Sequence, residues 1–169
     1  MKQLWAPWRM VYVGSPQPPV GCLLCEIEAG RSREQPHVVE RGQLTFTVLN
    51  RFPYSSGHVM IVTRRHVGQL TELTPEEDSA VMAATRRAMR VIQTAMDPEG
   101  FNLGVNHGSA AGASVDHFHL HVVPRWYGDT NFMPVVADVK VLPEHLDSTA
   151  ESLRSGYQRL QDGAGEAGS

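Results

Sequence analysis

Asp116-His117-Phe118-His119-Leu120-His121-Val122-Val123-Pro124 sets three histidines at alternate positions. Successive side chains on a strand point to opposite faces. A strand over 117–124 would therefore carry His117, His119 and His121 on one face and send Phe118, Leu120 and Val122 into the core. Same-face neighbours then stand about 7 Å apart. A merely solvated face rarely needs three histidines in register, because the residue is uncommon and its charge is pH-sensitive. A metal site built from these three alone is geometrically poor, since rings so spaced on one strand reach a single ion badly. Phosphoryl chemistry fits better: a neutral imidazole is a nucleophile near pH 7, and a second can donate to phosphate oxygens or a leaving group.

Upstream, His107-Gly108-Ser109-Ala110-Ala111-Gly112-Ala113-Ser114 reads as a loop. Its small residues let the backbone approach an anion, and Ser109 and Ser114 supply hydroxyls. It lacks the lysine of a Walker motif, which excludes a P-loop. Leu44–Asn50 and His58–Thr63 read as a hairpin joined by the turn Arg51–Gly57. Thr74-Pro75-Glu76-Glu77 is a capping box with proline at the first helical position. Val81, Ala84, Ala88, Val91, Ile92 and Ala95 follow at helical spacing, and Asp97-Pro98-Glu99-Gly100 ends the helix. Phe101–Asn106 reads as a third strand, and a second helix is expected over about Pro143–Leu160. The order predicts an α+β fold, an antiparallel sheet with one main helix and a C-terminal helix. Residues 1–20, rich in Trp, Pro and Tyr, read as an N-terminal arm, 21–160 as the catalytic domain, and 161–169 as a flexible tail.

The chain has 169 residues, of which 41% are hydrophobic. One domain of this size buries roughly two thirds of its unfolded surface, so a metal would add to its core rather than replace it. A net charge of −3 with no basic run lacks the footprint of a DNA or RNA binder, while a small anionic ligand remains compatible. Met1–Arg9 has no apolar stretch of signal-peptide length, and no run of about 18 apolar residues suggests a membrane span. The expected compartment is the cytoplasm. The only cysteines, Cys22 and Cys25, could form a redox pair or half of a metal site, and the cytosol disfavours a structural disulfide.

His117-x-His119-x-His121 among apolar residues resembles the signature of the histidine-triad (HIT) nucleotide hydrolases and transferases. Leu49-Asn50, Gly57-His58-Val59, Asn106 and Ala111-Gly112-Ala113-Ser114-Val115 fall where that family places its nucleotide contacts, and the similarity runs from about Cys22 to Asp129. The resemblance implies that His119 attacks the α-phosphate and carries a nucleotidyl intermediate, and that His121 contacts phosphate and assists the leaving group. It implies that Asn50 holds the ribose and His58 lines the nucleotide site. Asn106 and Ser114 would bind phosphate oxygens, with Gly112 and Ala113 giving them close approach. Some bacterial members carry a Cys-x-x-Cys that binds structural zinc with two histidines. Here that set is Cys22, Cys25, His66 and His117, a closed tetrahedral combination. Homodimers through a shared sheet are common in the family. His37 and His145 read as surface residues, His107 as a loop neighbour of the phosphate site, and Trp5, Trp8 and Trp126 as packing or dimer contacts.

The diadenosine polyphosphate hydrolases of the family carry Gln four residues before the first triad histidine. This chain has Ala113 there, which cannot hydrogen-bond through its side chain and leaves room for inorganic phosphate beside Ser114. The Leu4-Trp5-Ala6-Pro7-Trp8-Arg9 start and Pro124-Arg125-Trp126 resemble a bacterial subgroup likened to diadenosine tetraphosphate phosphorylases. Phosphorolysis to ADP and ATP is the expectation. The alternatives are hydrolysis to AMP, hydrolysis of a nucleoside phosphoramidate, and a non-enzymatic nucleotide-binding regulatory module.

Overall fold

The computed structural model describes residues 21–32, 37–129 and 144–166. The expected N-terminal arm and the start of the second helix at Pro143 lie outside them.

Five strands form one antiparallel sheet: β1 (Val38–Arg41), β2 (Thr45–Leu49), β3 (Val59–Thr63), β4 (Gly100–Gly104) and β5 (His119–Arg125), in the spatial order β1-β2-β3-β5-β4. Three α-helices accompany them among the described residues: α1 (Leu23–Glu28), α2 (Pro75–Met96) and α3 (Leu146–Glu166). The α+β architecture with a main and a C-terminal helix is as the sequence predicts.

Helix α2 begins at the expected box. The Thr74 side chain accepts from the Glu77 amide, and the Glu77 carboxylate accepts from the Thr74 amide at 2.9 Å. Glu77 is also bidentate to Arg65, which draws its carboxyl pKa down. The helix ends at Asp97, in the left-handed region with φ 46. Its apolar stripe, with α3, covers one sheet face, where Leu49, Val59, Ile61, Phe118, Val122 and Leu153 form the main core. A smaller core lies on the other face, where Leu24 and Ile27 of α1 meet Phe46, Val48 and Val62. Helices on one face and α1 on the other leave part of the second face for the histidines.

Several boundaries differ from the sequence reading. Strand β5 starts at His119, not His117, because the chain is pinned just before it: the Phe118 amide donates to Val67 O at 2.6 Å and His117 Nε2 to Thr63 O at 2.8 Å. His117 is thus held off the strand on which it was expected to share a face with the other two. Strand β4 is shifted to Gly100–Gly104, leaving Asn106 in the following loop. Helix α3 continues past the expected end at Leu160 to Glu166, supported on its exposed side by Gln158 donating to Asp162. Helix α1 and strand β1 were not anticipated.

Candidate active site

The turn between β2 and β3 prepares the first half of the site. Its Ser55 hydroxyl donates to Pro124 O at 2.6 Å, tying the turn to β5. Gly57 follows with φ +75, and a Cβ there would stand 2.6 Å from Met96 Sδ; only glycine suits both the conformation and the contact. Asn50 Oδ1 accepts from the Phe52 amide at 2.9 Å. His58 is fully buried.

From His58 the hydrogen bonds run in one direction. The Tyr54 amide, which can only donate, reaches His58 Nδ1 at 3.0 Å. A neutral His58 then carries its proton on Nε2 and donates to His121 Nδ1 at 3.0 Å. His121 in turn holds its proton on Nε2, a buried donor with no partner among the described residues. Burial, followed by the neighbouring His119, pushes the His121 pKa down to about 4, which keeps the ring neutral. Tyr54 is stacked on His58, ring centroids 5.0 Å apart and 19° between planes.

His119 is fixed independently. Its Nδ1 lies 2.7 Å from the carbonyl oxygen of His117. A carbonyl only accepts, so the proton is on Nδ1 and Nε2 keeps its lone pair. Burial lowers the pKa of this ring as well. The two rings sit edge to face, centroids 4.9 Å apart. One imidazole with a free lone pair thus stands beside one with a free N–H, the pair that displacement at phosphorus requires.

The loop 107–116 turns at Gly108 and Gly112, with φ +80 and +93. The amides of Ala111 and Ala113 donate to Gly108 O, and that of Gly112 to Ser109 O. These three amides serve the loop's own short helical turn and are not available to an incoming anion. Ser114 is exposed, Ala113 half-buried, and no hydrogen bond among the described residues engages Ser114.

Asn106 joins His121 on the wall of a cleft of about 240 Å³ between the Tyr54 turn and strand β4. Tyr54, Asn102, Leu103, Gly104, Val123 and Arg125 complete it; the sequence reading did not assign them to the site. The available signals were Tyr54's place within the turn already assigned to the hairpin, and Arg125's place at the end of the triad strand, within the Pro124-Arg125-Trp126 stretch.

Cys22, Cys25, His66 and His117 converge as the family resemblance implies, their ligand atoms all within 4.8 Å of one another. Cys22 caps α1 and Cys25 lies in its first turn, so a helical spacing turns both thiols the same way. Sγ···Nδ1 separations are 3.3 Å for Cys22–His117, 3.3 Å for Cys25–His66 and 3.5 Å for Cys25–His117. Ligands bound tetrahedrally at zinc–sulfur and zinc–nitrogen lengths would be about 3.5 Å apart. The Nε2–H of His117 is spent on Thr63 O, which leaves Nδ1 as the coordinating atom and supplies the outer partner metal-binding histidines normally have. Burial and the adjacent Cys22 push the Cys25 thiol up to about 11, so a bound cation would have to displace its proton. The four residues fit a metal.

The other sequence-singled residues are peripheral. His37 pairs with Asp147 at 3.2 Å, while His107 and His145 are exposed. Trp126 donates to Asp97 O, a packing role. Among the described residues no helix is long and apolar enough to cross a membrane.

Residues 31–127 match the HIT domain profile. The chain is 40% identical to AP-4-A phosphorylase of Mycobacterium tuberculosis, the alignment covering 94% of this chain and 86% of that protein. It is 33% identical to the asymmetrical bis(5'-nucleosyl)-tetraphosphatase of Schizosaccharomyces pombe, over 54% of this chain and 50% of that one. A zinc-bound histidine triad family protein from Mycobacterium smegmatis superposes with a TM-score of 0.71 at 25% identity, covering 85% of this chain and 97% of that one.

Proposed function

Because the chain belongs to the HIT family and is an enzyme of it, we propose that it cleaves dinucleoside polyphosphates by phosphorolysis through a nucleotidyl group carried on His119. The observation that carries this reading is the bond from His119 Nδ1–H to His117 O. It leaves Nε2 as the nucleophile and stabilises the positive charge the ring acquires when Nε2 bonds to phosphorus.

In the first step the Nε2 lone pair forms the N–P bond to the α-phosphorus, and the bond from phosphorus to the bridging oxygen breaks. The departing polyphosphate takes that electron pair, and the Nε2–H of His121 donates to the same oxygen. The relay from Tyr54 through His58 keeps that proton on Nε2. In the second step an oxygen of inorganic phosphate attacks phosphorus and the P–N bond breaks, returning His119 as a neutral ring. From diadenosine tetraphosphate the products are ATP, then ADP. Asn50 would hold the ribose, His58 would line the nucleotide site, and Asn106 and Ser114 would bind phosphate oxygens. Gly112 turns the loop beside them.

Ala113 and the similarity to a phosphorylase over 94% of the chain favour phosphate over water as acceptor. We assign the Cys22, Cys25, His66 and His117 cluster to one structural zinc, and propose a cytoplasmic homodimer joined through the sheet. The deciding experiment is a product assay on diadenosine tetraphosphate with and without inorganic phosphate. ADP formed only with phosphate supports phosphorolysis; AMP and ATP at saturating phosphate identify a hydrolase. A radiolabelled nucleotide trapped on the wild type and absent from His119→Gly separates an enzyme from a binding module.

A further inference from the structure

We propose that Arg65 and Glu77 are positioning residues for the metal set: their ion pair fixes the backbone from which His66 reaches Cys22, Cys25 and His117. This rests on the zinc assignment above and extends it to two residues outside the cluster.

The four ligands are held in different ways. Cys22 and Cys25 belong to α1 and its cap. His117 is buried, with its Nε2 bound to Thr63 O. His66 is the exposed member of the set and lies in the irregular segment that follows β3. No hydrogen bond to protein among the described residues engages its Nε2. A metal-binding histidine normally has that second nitrogen fixed by an outer partner. Without one, the placement of the ring depends on the backbone at either side. If that backbone were loose, its ordering would oppose every binding event.

Both sides are fixed. After His66, Val67 is buried and its carbonyl accepts from the Phe118 amide at 2.6 Å. Before it, Arg65 Nε and one terminal nitrogen bind the two Glu77 oxygens at 2.9 and 2.6 Å. That terminal nitrogen also donates to Glu72 O at 2.8 Å, and the Arg65 carbonyl accepts from the Thr63 hydroxyl at 3.0 Å. The Glu77 side chain is 6% exposed, and its carboxylate accepts from the Thr74 amide at the start of α2. A guanidinium fork on a carboxylate fixes direction as well as charge, so α2 becomes the anchor of the residue before the ligand. Half of the pair lies in solvent, with Arg65 49% exposed, and such a pair contributes little stability. Its directional hold on the chain is the larger effect.

Arg64 provides the contrast. It stands in the same segment, is 48% exposed and pairs with Glu28 of α1. Glu28 is also held by Arg41, so α1 stays anchored when Arg64 is removed.

The test is zinc affinity, measured by competition with a chromophoric chelator, together with the absorption spectrum of the cobalt-substituted protein. Glu77→Gln keeps an oxygen for the Thr74 amide and gives up the charged fork. This variant and Arg65→Ala should each weaken zinc binding about tenfold, the low end of what removing a ligand-orienting partner does. The double variant should weaken it no further, since both changes remove one interaction. Arg64→Ala should bind zinc as the wild type does. In cobalt-loaded Glu77→Gln the thiolate charge-transfer bands should persist while the d–d bands move toward those of His66→Ala. Lowered melting temperatures with wild-type zinc affinity in Glu77→Gln and Arg65→Ala would reduce the pair to a helix cap and overturn the proposal. So would a loss in Arg64→Ala as large as theirs. If the wild type binds no zinc, the metal assignment itself fails, and this proposal with it.

Discussion

His119 and His117 are joined by one hydrogen bond, Nδ1–H to main-chain carbonyl at 2.7 Å, so the residue whose ring completes the cluster of Cys22, Cys25 and His66 also sets the tautomer of the ring two positions later. The side chain of His117 faces the thiols while its carbonyl faces His119. The two roles use different atoms of one residue and do not compete.

His119→Ala should lower kcat by several orders of magnitude, as removal of a nucleophile does. The ring is buried, with 6% exposure, and its loss strands the His117 carbonyl. A destabilisation of about 1–3 kcal/mol is therefore expected, with the fold retained. Turnover numbers and thermal melts on the same preparation check both. Wild-type turnover would remove His119 from the nucleophile role.

Protein purified without added metal should contain about one equivalent of zinc, the content of one closed four-ligand site. Cys22→Ser should lower the melting temperature more than it lowers nucleotide affinity. Elemental analysis with parallel calorimetry and nucleotide titration checks this. Metal-free protein that melts at the wild-type temperature would refute it.

His121 makes stability depend on pH. Its folded pKa of about 4 lies below the ordinary imidazole value, so between about pH 4 and 6.5 the unfolded chain binds the proton and the folded one does not. This contribution is fully present above about pH 6.5 and is lost as pH falls toward 4, up to roughly 3 kcal/mol at one pKa unit per 1.4 kcal/mol. His121→Gln should flatten that slope. Urea midpoints of both proteins at pH 5 and pH 7 give the comparison, and parallel slopes would count against it.

Ala113→Gln should reduce phosphate-dependent turnover while sparing or raising hydrolysis. The longer side chain fills the space assigned to phosphate and can hold a water instead. Ser114→Ala should weaken the apparent affinity for phosphate, since a hydrogen bond to a charged group contributes roughly 1.5–3 kcal/mol. The ADP-to-AMP ratio across a phosphate titration reads both variants. A wild type that yields only AMP and ATP at saturating phosphate would sink this reading of Ala113.

The sequence exposes most clearly what repeats or caps. Alternation in 119–125 and the box at Thr74 identify β5 and α2, because each is a local pattern with one physical solution. Strand β1 is four residues long and borders acidic and basic positions, so Val38 and Val39 alone give no period to read. Helix α1 has six residues, too few for a helical stripe, and only Leu24 and Ile27 reveal its buried side. The displacement of His117 from the strand depends on Val67 and Thr63, which are distant in sequence and invisible to any local pattern. The same holds for Tyr54, whose backbone rather than its side chain begins the relay to His121. The metal set was legible only through family resemblance, since nothing local connects Cys22 to a histidine 95 positions away.

That separation has a consequence for the order of assembly. The thiols arrive with α1, His66 with the chain leaving β3, and His117 with the chain entering β5. A cation can hold two or three of these in a loose chain, but the full set exists only after β5 has docked beside β3. A cation held by all four residues would therefore stabilise the folded state alone, and its affinity would measure how completely the sheet has come together.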